Sequence, residues 1–69
     1  MDVDELVDRL SAIAEELSDM AFDRLREASA GSARGGIDVG LLESEKRLTR
    51  ARRSVEKAIA VLRGPNDAG

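Results

Sequence analysis

The residues best suited to chemistry lie in "SEKRLTRARRSVEK", positions 44–57, which sets six Lys or Arg residues into a chain of formal net charge −3. Lys46, Arg50, Arg53 and Lys57 follow one another at intervals of four, three and four. On an α-helix that spacing gathers all four on one stripe, a row of cationic donors fit for phosphate or another anion. Lys46 with Arg50, and Arg53 with Lys57, are like-charged i,i+4 neighbours, each unfavourable by about 0.2–0.5 kcal/mol. Helix stability alone does not select such a row. Three uses fit it: a solvated face whose charge selects pairing, a phosphate or nucleic-acid contact, or a dock for an acidic protein surface such as an adaptor, antitoxin or small regulatory subunit would meet. The chain has one Phe and neither Trp nor Tyr, so base stacking cannot assist nucleic-acid binding, and the negative total charge opposes it.

A second cluster is acidic. "EELSD", with Glu15, Glu16 and Asp19, resembles the paired acidic motifs by which all-α nucleotide pyrophosphatases hold magnesium on bundle helices. The resemblance covers five residues and implies a second acidic motif on a facing helix, where this chain offers Arg52, Arg53 and Lys57. Glu15 and Asp19 also fall on the back of their helix, away from its apolar stripe. With no Cys and no His, disulfides, thiolate or imidazole metal sites and the usual acid-base residue of neutral pH are excluded as well. The expectation is a protein that is not an enzyme, with no metal, no cofactor and no small-molecule substrate.

Two helices must position these residues. Asp2 followed by Glu5 has the spacing of a capping box, and Val3, Leu6, Val7, Leu10, Ile13, Ala14, Leu17, Met20, Ala21, Leu25 and Ala28 then recur at three- and four-residue steps. That period predicts a helix over about 2–30, ended by Gly31 in the left-handed conformation. A Gly-rich connection follows at 31–38. Asp38 is a good N-cap for a second helix over about 39–63, although Gly40 weakens its first turn, and Arg63, Gly64 and Pro65 form a stop signal. Residues 65–69 read as a flexible tail, so the domain is 1–64.

Folded at Gly36, the two apolar seams match in antiparallel register. Leu10 falls across from Leu62, Ile13 from Ile59, Ala14 from Ala58, Leu17 from Val55, Ala21 from Ala51 and Ala28 from Ser44. Large faces large, small faces small, and the fold class is all-α: an antiparallel helical hairpin with coiled-coil-like packing. Residues 1–30 hold nine acidic against three basic residues and residues 31–69 eight basic against five acidic, a contrast that favours pairing of the arms. Arg24 takes a seam position across from Leu48 and is the candidate register-setting polar residue. Phe22 is expected to lie under a small cap of Ile37, Val39 and Leu42, with service as an exposed anchor for a partner as its other use.

One neighbour cannot cover the first helix. Its apolar stripe is roughly 140° wide when residues are placed about 100° apart, which leaves Leu6, Ile13 and Met20 along an open edge. Sixty-nine residues without aromatic bulk are also short of core, and small domains of this kind commonly gain stability by association. Leu6, Ile13, Met20, Leu41 and Ile59 are therefore the candidate interface, and the partner is a second copy, giving a four-helix bundle, or another helical protein. A bundle of paired hairpins is similar in architecture, and in architecture alone, to the small RNA-binding hairpin dimers of plasmid copy-number control. No segment is long and apolar enough to span a membrane and residues 1–30 lack the pattern of a signal peptide, so a cytoplasmic protein is expected. Nine Arg against two Lys, with abundant Ala, suggests a bacterial source.

Overall fold

The computed structural model describes residues 1–32, 36 and 38–64. They form two helices, α1 (Val3–Ser32) and α2 (Val39–Arg63), packed side by side. At about 1.5 Å per residue the helices are roughly 45 and 38 Å long, and the molecule measures 49 × 27 × 13 Å between Cα atoms. The 13 Å dimension is that of a single layer of helices, so each helix has one helical neighbour.

The ends follow from local chemistry. Asp2 Oδ1 accepts a hydrogen bond from the Glu5 amide at 2.8 Å, which satisfies one of the orphan donors of the first turn of α1. Asp38, extended at φ −76° and ψ 105°, caps α2 by accepting from the Leu41 amide at 3.2 Å. Gly40 has a use here: a Cβ at that position would come within 3.2 Å of the Asp38 carboxylate, so the glycine leaves the cap its room. Gly64 closes α2 at φ 85°, a conformation costly for a side chain with a Cβ, and donates to the Val61 carbonyl at 3.1 Å.

Gly31, expected to end α1, lies inside it, and the helix runs on to Ser32. Glycine costs a helix roughly 1 kcal/mol relative to Ala, and Ala28, one turn earlier, is buried at 1% exposure. The expected tail at 65–69 lies outside the described residues.

The hydrophobic core is thin. Val7, Ala14, Ala21 and Ala28, spaced by seven, are buried on α1, whereas no described residue of α2 is. Three alanines in four core positions let the helix backbones approach closely but enclose little volume. Leu10, Ser11, Leu17 and Arg24 flank them half-buried.

The inward face of α2 holds Leu41, Leu48, Val55 and Ile59 as expected, and Ser44 is half-buried, but one edge of that face differs from the one expected. Ala51 and Ala58, assigned across from Ala21 and Ala14, are exposed. Half-buried in their stead, on the other side of the Leu41, Leu48, Val55 and Ile59 row, are Glu45 and Arg52. Helix α2 is thus rotated so that Glu45 and Arg52 lie against α1. Their aliphatic stems cover apolar surface while their polar ends are satisfied within α2: Thr49 Oγ1 donates to Glu45 Oε2 at 2.7 Å, and Arg52 Nη1 meets Glu56 Oε2 at 3.0 Å.

The cap over Phe22 is also corrected. Phe22 is 60% exposed and Val39 67% exposed, while Ile37 lies outside the described residues. The Arg26 guanidinium sits over the Phe22 ring, 5.9 Å from its centroid, and is its polar cover on the outside of α1.

Candidate functional site

Two flanks of the hairpin can be told apart by what lines them. On one, Ser11, Ala14, Glu15 and Ser18 of α1 border a groove with Arg52, Glu56 and Ile59 of α2. These residues of the two helices face one shared groove. The Arg52–Glu56 ion pair stands over this groove, whose walls include the apolar Ala14 and Ile59.

The other flank is apolar. With residues about 100° apart, Leu6, Ile13 and Met20 project from the side of α1 opposite Ser11 and Ser18, and Ala51 and Ala58 project from the side of α2 opposite Arg52 and Glu56. In an antiparallel pair those two sides adjoin, so the five residues share one face. Leu6, Ile13 and Met20 are exposed there, as are Ala51, Ala58 and, at the far tip, Leu62. Leu41 and Ile59, grouped with this face on sequence, are half-buried in the seam, and Ile59 lines the groove on the other flank. Ala51 and Ala58 were missed as members of the open face. Their heptad spacing was visible, but it fits a contact inside the hairpin as well as one outside it.

The basic stripe forms as spaced. Lys46, Arg50, Arg53 and Lys57 are all exposed, on the side of α2 turned away from α1, and none of them enters an ion pair among the described residues. Lys46, Arg50 and Arg53 border a shallow surface depression with Glu45 and Thr49. Arg24 is half-buried at its seam position and lines a second depression with Asp23, Arg26, Glu27 and Ala30. Glu15, Glu16 and Asp19 are exposed, and among the described residues no three or more Asp or Glu side chains converge in a way that could hold a metal ion. No helix among the described residues is long and apolar enough to cross a membrane.

Compared with protein-family models, curated proteins and solved structures, the chain matches none.

Proposed function

We propose that this chain is a non-catalytic assembly module whose hairpin pairs with a second copy of itself through the Leu6, Ile13 and Met20 face to form a four-helix bundle. The observation that carries the proposal is the inverted distribution of bulk on α1, where the buried positions hold mainly Ala while Ile13, Met20 and Leu6 are exposed. The module is read as a small bacterial, cytoplasmic protein of regulatory or adaptor type.

Sedimentation equilibrium over a range of concentrations tests it. The native chain should run as a helical dimer and Ile13→Asp as a monomer of reduced helicity; a native chain that stays monomeric at high concentration overturns the proposal.

A second reading rests on the exposed, ion-pair-free stripe of Lys46, Arg50, Arg53 and Lys57, which suits phosphate or nucleic acid. It adds a ligand to the dimer, which would carry two such stripes on its outer surface.

A further inference from the structure

The apolar face leaves two ways to stack a second hairpin on it, and the side chains distinguish them. With the twofold axis parallel to the helices, α1 of one copy lies over α2 of the other and both connections sit at the same end. With the axis across the helices, α1 lies over α1, α2 over α2, and the connections sit at opposite ends. All neighbouring helices are antiparallel in both, so backbone dipoles do not choose.

Size does. Folding at Gly36 in antiparallel register brings Met20 and Ile13 within about one residue's rise of Ala51 and Ala58 on the apolar flank, a register with which the groove shared by Ser11, Ser18, Arg52 and Ile59 agrees. A parallel axis preserves levels, so Ile13 of each copy comes down on Ala58 of the other and Met20 on Ala51: two large side chains seven apart enter two small sites seven apart. The crosswise axis instead opposes large edge to large edge and alanine edge to alanine edge, a crowded seam beside an empty one.

Charge agrees. At about 100° per residue, Glu16 and Glu27 with Arg9 rim the open edge of α1, and Arg47 with Glu43 rims that of α2, so the contrast lies in the arms as wholes and not in their rims. The arms carry net −6 over residues 1–30 and net +3 over residues 31–69. Stacking α1 over α2 sets the net acidic arm against the net basic one on both seams, whereas stacking like over like sets net acidic against net acidic and net basic against net basic.

We infer that the second copy docks with its α2 on α1, Ile13 seated on Ala58 and Met20 on Ala51 across a twofold axis parallel to the helices, so that both connections lie at one end of the bundle. This rests on the homodimer proposed above. It also accounts for the rotation of α2, which withdraws Ala51 and Ala58 from the hairpin seam and makes them the receiving sites of the dimer.

Gly36→Cys carrying a nitroxide tests the arrangement by dipolar distance measurement. The chain has no other cysteine, and a Cβ at Gly36 meets nothing within 4 Å. Connections at one end should place the two labels within about 30 Å, given interhelical spacings of about 8–10 Å in packed bundles and the reach of the labels. A separation near the 49 Å length of the hairpin, in a sample that sediments as a dimer, overturns the inference and leaves the homodimer standing. A sample that sediments as a monomer overturns both. As a check on register, Ile13→Cys mixed with Ala58→Cys should give a cross-linked heterodimer on mild oxidation, with little cross-linking of either variant alone; the reverse pattern also overturns the inference.

Discussion

Ile13 and Ala14 adjoin in sequence and lie on opposite sides of a boundary: Ala14 is 7% exposed in the seam between the helices, and Ile13 is 45% exposed beside it. The smaller side chain has the interior and the larger one the surface. In a self-sufficient domain burial of apolar area would favour the reverse, since a buried Ile contributes about 1.5–3 kcal/mol relative to an exposed one. Exchanging the pair's roles, as in Ile13→Ala with Ala14→Ile, should therefore yield a hairpin that no longer dimerises. Sedimentation of that double variant as a stable dimer would count against the interface.

Ala21 is the next seam position, also buried. Ala21→Leu forces extra methylenes between two closely approaching backbones, and overpacking of this kind costs about 1–3 kcal/mol. Thermal melts followed by circular dichroism should show a lower midpoint. A raised midpoint would mean that the helices sit further apart than the burial of Ala21 implies.

Asp38 holds the first turn of α2 through the Leu41 amide. Asp38→Ala should destabilise the fold by about 1 kcal/mol, read as a lower urea midpoint at unchanged slope. Gly40→Ala sets a propensity gain of up to about 1 kcal/mol against a contact with the cap carboxylate at 3.2 Å. The gain should therefore be larger in the Asp38→Ala background than in the native chain, a coupling that a double-mutant cycle measures.

Arg24 stands half-buried at a seam position. Arg24→Leu should raise the melting temperature while loosening the choice of oligomer, so that sedimentation shows more than one species. A lower melting temperature would reveal a specific partner for the guanidinium.

The four-residue stripe offers a separate test. If it binds phosphate-rich ligands, association with a labelled oligonucleotide should weaken steeply with added salt and be lost when Lys46, Arg50, Arg53 and Lys57 are all changed to Ala. Retained binding in that variant would assign the contact elsewhere.

The helices, their caps and the stripe were legible in the sequence because each depends on local spacing. Asp2 and Asp38 cap through bonds three residues away, Gly64 stops α2 through its own backbone, and the row from Lys46 to Lys57 follows from 3.6 residues per turn. The open edge of Leu6, Ile13 and Met20 was legible too, since a stripe that wide exceeds what one helix covers. The rotation of α2 about its own axis was not. Two inward faces were available, one lined by Ala51 and Ala58 and the other by Glu45 and Arg52, and both complete a heptad pattern with Leu48 and Val55. The choice depends on how stems, carboxylates and a neighbouring Thr49 hydroxyl fit against α1 in three dimensions, a many-body packing question that spacing along one chain does not encode. By itself the sequence determined that two amphipathic helices would fold back on one another and leave an apolar edge. Only the tertiary structure decided that Ala51 and Ala58 would join that edge, because helix rotation is settled by contacts between helices and not within them.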